Sequence, residues 1–247
     1  LETMRQEIER SKPLGIAGGQ PIYFLELSVD DVRAFSAQAS LGGLLNSRSN
    51  AFRLPSVALR IGDKKFDNTN YILSDYFQGT RFDQGQLSLD DNLAAIRHNF
   101  WLAIDRAYKT ALEAIGRKRA ALRNVTQAEE LPDFSDAPPT TYLEPLTPWR
   151  LNEDLWRGMA KKWSAIFNAY PEIYNSTVDV EVSRDTLYLT NTEGTQIRMT
   201  EDLFYVRVRA NSQAADGMRV REHDTIVAMG SGNAPAEAAI AARVKRV

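Results

Sequence analysis

Residues 178–210, VDVEVSRDTLYLTNTEGTQIRMTEDLFYVRVRA, carry the pattern that decides the fold class. Val178, Val180 and Val182 alternate with Asp179 and Glu181, and Phe204, Val206, Val208 and Ala210 alternate with Tyr205, Arg207 and Arg209. Between them, Leu187 and Leu189 alternate with Thr186, Tyr188 and Thr190. A period of two, with one apolar and one charged face, belongs to antiparallel strands covered on one side only. Asn191-Thr192-Glu193-Gly194-Thr195 supplies the turn between two strands, and Ala215-Asp216-Gly217-Met218 supplies another before MRVREHDTIVAM.

The same grammar extends upstream. Strands are expected near 21–28, 33–41, 43–51 and 55–61, separated by Asp-Asp, Gly-Gly and Ser/Asn-rich breaks. Residues 2–12 read as a short polar helix, and 62–87 as irregular. From Ser88 the period changes: Leu89, Leu93, Ile96, Phe100, Ile104, Ala107, Ala111 and Ile115 recur every three or four residues, which predicts a helix over 89–119. Ser88 is its expected N-cap, with Asp91 completing a capping-box-like pattern, and Arg117, Lys118 and Arg119 suit its negative end. Residues 124–150 hold five of the ten prolines and read as a crossing connection. A second helix follows, with Asn152 as N-cap, Leu151 and Trp156 as a hydrophobic staple, and a face of Leu155, Trp156, Met159, Trp163, Ile166, Phe167 and Tyr170. A last helix is expected after Asn233, with Pro235 in its first turn, and it runs uncapped to Val247.

The expected class is therefore α+β: antiparallel sheets backed by long amphipathic helices. LLNSRSNAFRLPSVALRIG (44–62) echoes LYLTNTEGTQIRMTEDLFYVRVR (187–209), so the chain reads as one domain over 1–247 with two similar α/β halves, 1–123 and 151–247, joined by 124–150.

A net charge of −2, with 43% hydrophobic and 25% charged residues, is that of an ordinary globular protein without a global attraction for nucleic acid or an anionic membrane. No apolar run reaches the roughly 18 to 20 residues that span a bilayer. The absence of cysteine rules out disulfides, thiolate nucleophiles and Cys-ligated zinc within these residues. The chain opens on Leu1 rather than Met, so an N-terminal piece is read as removed and the compartment stays open.

Chemistry is sparse. With two histidines, a metal site or a nucleophile relay must use His98 or His223. His98 falls opposite the apolar stripe, beside Asp105 and Lys109, and His223 on a strand's polar side; neither belongs to an H-E-x-x-H pair. GDKKFDNTN (62–70) gathers oxygen donors but lacks the glycine and distal glutamate of an EF-hand loop, so turn chemistry is the expectation. GSGNAP (230–235) lacks the lysine of a phosphate-binding loop. Arg198, Arg207, Arg209, Arg219 and Arg221 form either a basic strip for nucleic acid or an acidic peptide, or cross-strand partners for Asp179 and Glu181. No residue is assigned a catalytic, cofactor-binding or metal-binding role.

Taken in order, LETMRQEIERSKPL (1–14), the self-pairing strands, RIGDKKFDNTN (60–70), the helix after LSLDDNLAAIR (87–97) and residues 180–218 resemble the N-terminal domain of the TldD/PmbA family. These proteins are also named modulators of DNA gyrase and regarded as zinc metallopeptidases. The resemblance implies an N-terminal fragment of a longer protein. The family's His-Glu-x-x-x-His helix has no counterpart here, so zinc is expected in a C-terminal half outside these residues and none in this chain.

It further implies a non-catalytic domain of a cytoplasmic protein that walls a chamber for unfolded or extended peptides. That domain would pair with an identical or related TldD/PmbA subunit, and nucleic acid and membrane are not among its implied partners. The hairpin at 186–198 is either an edge strand that pairs with a peptide or another subunit, or a plain solvent-facing turn. The rival reading is a non-enzymatic module that binds protein or DNA.

Overall fold

The computed structural model describes residues 1–14, 19–70, 81–83, 86–123, 131–230 and 233–247. In chain order the elements are α1 (Glu2–Ser11), β1 (Ile22–Ser40), β2 (Gly43–Ile61), β3 (Arg81–Asp83), α2 (Leu93–Leu122), β4 (Thr141–Leu143), α3 (Glu153–Ser164), a 3₁₀ turn (Ala165–Ala169), β5 (Ile173–Asn191), β6 (Gln196–Gln213), β7 (Arg219–Met229) and α4 (Glu237–Arg246). The class is α+β. The strands form one seven-stranded sheet in the order β3-β2-β1-β5-β6-β4, with β7 also paired to β6. β3 runs antiparallel to β2 and β7 antiparallel to β6, while β4 runs parallel to β6 through Thr141↔Gln196 to Leu143↔Arg198. Each half of the chain repeats one succession, a helix, a long hairpin, a third strand and a second helix.

Four expected strands are two long ones. Asp30-Asp31 and the run 46–50 lie inside β1 and β2 because long-range partners satisfy their polar groups without a turn. Asp31 accepts from Arg53 Nε at 2.8 Å, Ser47 accepts from Arg157 Nε at 2.8 Å, and Ser49 donates to Glu153 at 2.6 Å. Only Gly42-Gly43 marks a true reversal. Leu41 (φ 49°) and Gly42 (φ 86°) form its two-residue turn, with both residues left-handed as the twist of a hairpin requires.

The chain divides into two compact units, and the four long strands contribute to both: residues 1–31, 52–144 and 186–199 form one, and 32–51, 145–185 and 200–247 the other. In the first, α1 and α2 cover a core of Met4, Ile8, Leu25, Leu27, Val57, Leu59, Ile61, Phe100, Ile104 and Ile115. In the second, α3 and α4 cover Phe35, Trp163, Phe167, Val178, Val180, Phe204, Val206, Ile240 and Val244. Burying each such side chain contributes about 1.5–3 kcal/mol.

Alternation along β5 runs unbroken from Val178 to Thr190, so Thr186 and Thr190 are buried with the valines, and Leu187 and Leu189 take the other face. Their apolar character points the opposite way to the strand's actual register.

Helix α2 starts at Leu93, capped by Asn92, whose Oδ1 accepts from Ala95 N at 3.1 Å. Ser88 is not the cap. Leu87 N donates to Arg53 O at 2.8 Å, and the Arg53 guanidinium holds Asp91 at 2.9 Å, so this segment runs along β2 instead of coiling. Thirty residues of helix are about 45 Å long. Near its end Lys118 is buried and paired with Asp133, and Arg119 lies in the last turn. Asn152 caps α3 as expected, accepting from Leu155 N at 3.1 Å. Leu155 itself is exposed, whereas Trp163 and Phe167 are buried. α4 is capped by Ala236 without a side-chain bond, so Pro235 precedes the helix and Asn233 bonds Met229 O instead.

A leucine held at positive φ costs about 1–2 kcal/mol, whereas asparagine tolerates it. Leu41→Asn is therefore expected to stabilise the chain by about 1 kcal/mol and raise the melting temperature by about 2–4 °C, which thermal unfolding followed by circular dichroism will measure.

Candidate functional site

On the second unit, the face of β5 and β6 opposite the valines carries Asp179, Glu181, Tyr205, Arg207 and Arg209. The strand period puts these odd-numbered residues together. Gln38 Nε2 donates to Asp179 Oδ1 at 2.5 Å, and Arg209 donates to its Oδ2 at 2.8 Å, so a polar row crosses β1, β5 and β6. The register sets His223 of β7 opposite Arg209, and Arg221 opposite Asn211. Two open cavities lie on this face, one of about 300 Å³ that includes Asn46, Glu181, Tyr205 and Arg207, and one of about 450 Å³ that includes Tyr174, Arg221, Glu222 and His223. Cross-strand pairing is thus made by Arg209 with Asp179. Arg207 lies over the Tyr205 ring at 5.1 Å and, with Arg219 and Arg221, has no ion-pair partner among the described residues.

Arg198 lies elsewhere: its Nε donates to Glu144 O at 2.6 Å, beside β4, within the first unit. The strip expected from the sequence is therefore shorter by one arginine. The hairpin 186–198 is not an edge. β5 lies between β1 and β6, and β6 is flanked on its other side by β4 and then β7. Its turn is held internally, with Asn191 Oδ1 accepting from Glu193 N at 3.1 Å and Thr195 N at 3.0 Å. Among the described strands, long open edges belong to β7 and to the 43–52 stretch of β2, whose outer neighbour β3 pairs only with Ser56–Ala58.

On the first unit a cavity of about 190 Å³ is lined chiefly by Met4, Val29, Leu87, Leu93, Ile96 and Tyr188, with Asp31, Arg53 and Asp91 beside them. Burial and the nearby Asp31 carboxylate push the Tyr188 hydroxyl above its ordinary range.

The oxygen-rich run 62–70 is occupied by its own chain. Asp63 Oδ1 accepts from Lys65 N at 2.8 Å and Phe66 N at 3.0 Å, and Asn68 Oδ1 accepts from Ile61 N at 2.8 Å. Asp67 Oδ2 accepts from the Tyr23 hydroxyl at 2.6 Å and from Arg60 at 2.8 Å. A carboxylate already holding a guanidinium is a poor cation ligand, so turn chemistry accounts for the segment. Phe134, from the proline-rich connection, closes over it, with the Arg60 guanidinium 4.1 Å from its ring.

His98 is exposed and stacks beside Trp101 at 5.7 Å, and His223 is exposed on β7. Among the described residues no three His, Cys, Asp or Glu side chains are placed to hold a metal ion, so those residues do not fit zinc. Of GSGNAP, residues 231–232 lie outside the described residues, as do 124–130 of the connection and 71–80 and 84–85 of the irregular stretch. No helix described is long and apolar enough to cross a membrane.

Burial alone would raise the pKa of Asp67, but hydrogen bonds from Thr69, Tyr23 and Arg60 outweigh it and hold the carboxyl below its usual range. A lowered carboxylate pKa contributes stability that is present above the unfolded value of about 3.9 and is lost as pH falls through the folded value. Asp67→Asn is expected to cost about 3–5 kcal/mol at pH 7. The gap to the parent should hold down to about pH 5 and narrow below about pH 4, as urea unfolding at each pH will read.

No family model and no curated protein matches the sequence. Solved structures do match the fold. TldE from Thermococcus kodakarensis is similar over 99% of this chain and 46% of its own, at 14% identity and a TM-score of 0.57. A candidate modulator of DNA gyrase from Thermotoga maritima is similar over 99% and 46%, at 15% identity and a TM-score of 0.55. Another from Bacteroides thetaiotaomicron is similar over 100% and 50%, at 10% identity and a TM-score of 0.59. The chain spans about half the length of each, and at these identities the likeness is one of fold.

Proposed function

We propose that this chain is the N-terminal half of a protein of the TldD/PmbA kind, in which it is a scaffold without a reactive centre. In this reading it walls a chamber for extended peptides and pairs with a related subunit. The observation that carries the reading is the fold match: essentially all of this chain is matched by half of TldE and of two proteins described as candidate DNA gyrase modulators. The order of sequence segments resembling the same family supports it independently. In this reading hydrolysis and its zinc belong to polypeptide outside these residues, as the family resemblance implies. The chain's own contribution is rigid walls: two helix-covered cores on shared strands, and a face of charged side chains.

Full-length protein, alone and mixed with its nearest paralogue, is expected to bind zinc and cleave casein, whereas the 247-residue chain should do neither. Cleavage by the chain alone, or no zinc and no cleavage in any combination, would sink the proposal.

A second reading, a module that binds nucleic acid, draws on Arg207, Arg219 and Arg221, which have no ion-pair partner among the described residues. Three phosphate contacts on a duplex give a slope of log affinity against log salt of roughly −3. DNA retention with that slope, lost in the triple alanine variant, would favour this reading over the scaffold.

A further inference from the structure

β7 runs beside β6 through eleven consecutive antiparallel pairs without a bulge or a proline, and no strand lies on its other side among the described residues. The hydrogen-bond phase of that ladder fixes which main-chain groups face outward. Ala214 N donates to Met218 O at 2.9 Å, Gly230 N donates to Asp202 O at 2.6 Å, and the register sets each of these pairs directly opposite. Hydrogen-bonded pairs alternate along an antiparallel ladder. Even-numbered residues of β7 therefore bond β6, and the N–H and C=O groups of odd-numbered ones point away from it. Two contacts agree: His223 N donates to Glu222 Oε1 at 3.1 Å, and Arg243 Nη2 donates to Thr225 O at 3.1 Å.

Arg243 occupies the edge at Thr225, which leaves 219–223 open, and all five residues there are exposed. Arg219, Arg221 and His223 share one face of the sheet, and the two arginines have no ion-pair partner among the described residues. Beside them lies the cavity of about 450 Å³ that Tyr174, Arg209 and Asn211 also line. A row that alternates donor and acceptor is matched by another main chain, because phosphate oxygens would satisfy its N–H groups and be repelled by its C=O groups. Guanidiniums on every second residue then select acidic side chains at every second position of that chain. The open stretch of β2 lacks this combination: Arg48 is its single charged residue, and its Nε donates to Asn50 at 2.6 Å.

We propose that the 219–223 edge of β7 takes up an extended acidic peptide as an added antiparallel strand. The inference rests on the extended-peptide reading above and names the surface and the side chains it selects. In antiparallel pairing, a peptide residue opposite Arg219, Arg221 or His223 shares its face and also turns its own N–H and C=O toward β7. The acidic side chains and the edge-bonded amides therefore belong to the same peptide residues. Glu222 must release His223 N as the strand adds, so its carboxylate competes with the peptide for that donor.

The probe is a capped, fluorescein-labelled seven-residue peptide in which glutamate alternates with threonine, titrated against the 247-residue chain by fluorescence anisotropy. Saturable binding is expected, with none for the peptide carrying lysine in place of glutamate. N-methylation of the glutamate amides should weaken binding at least about tenfold, and N-methylation of the threonine amides should leave it within about twofold. Arg219→Ala combined with Arg221→Ala should weaken it about three- to tenfold, and Glu222→Ala should strengthen it. Equal effects of the two methylation patterns would overturn strand addition, since charge alone does not distinguish them. Tighter binding of a DNA duplex through the same arginines would overturn it too, by assigning them to phosphate. No saturable binding overturns the edge site and leaves the scaffold reading standing. Peptide binding by the chain, when full-length protein neither holds zinc nor cleaves casein, supports the edge site and removes only the scaffold reading.

Discussion

An arginine reaching an aspartate in the middle of each long hairpin is the contact on which the architecture depends. In the first, Arg53 Nε meets Asp31 at 2.8 Å; in the second, Arg184 grips Asp202 at 2.6 and 2.8 Å and also bonds Thr147. All four residues occupy the strand positions that continue the apolar rows. Along β1, Leu25, Leu27 and Val29 belong to one core and Phe35, Ala37 and Ala39 to the other, with Asp31 between them. Along β5, Arg184 separates the valines from Thr186, Tyr188 and Thr190. An unpaired charge at such a place would cost several kcal/mol, so the pairs let one strand serve two cores.

That arrangement explains what the sequence disclosed and what it concealed. Period-two alternation at 178–182 and 204–210 is local, and it was legible. Asp30-Asp31, within β1, looks like a strand break, because it is turn chemistry to any reading that lacks the partner arginine 22 residues away. Leu187 and Leu189 misdirect for the same reason: their faces follow from unbroken geometry begun at Val178, not from their own hydrophobicity. Ser88 fits an N-cap as well as Asn92 does, and only the Arg53 contacts with Leu87 and Asp91 decide between them.

The functional surface was less legible still. Two histidines and scattered acids gave nothing to assemble, and the described structure brings no cluster of them together. What it adds is adjacency. β7 and the first part of β2, not the 186–198 hairpin, are open; Arg198 leaves the arginine group for Glu144; and Lys118, near the helix's negative end, is buried and paired with Asp133. None of these follows from a window of sequence, since each depends on which strand lies beside which.

The central seam joins β1 to β5, and Leu25 N reaches Thr192 Oγ1 across 167 residues. While the polypeptide is being made, the first hairpin must therefore wait with one flank unzipped until β5 leaves the ribosome. Between Ile61 and the end of β5 at Asn191, at about 5–20 residues per second, that interval lasts roughly 6 to 26 s. A nascent chain carrying so long a bare flank is a natural client for a holding chaperone, and its folding should be slow, as long-range strand pairing dictates.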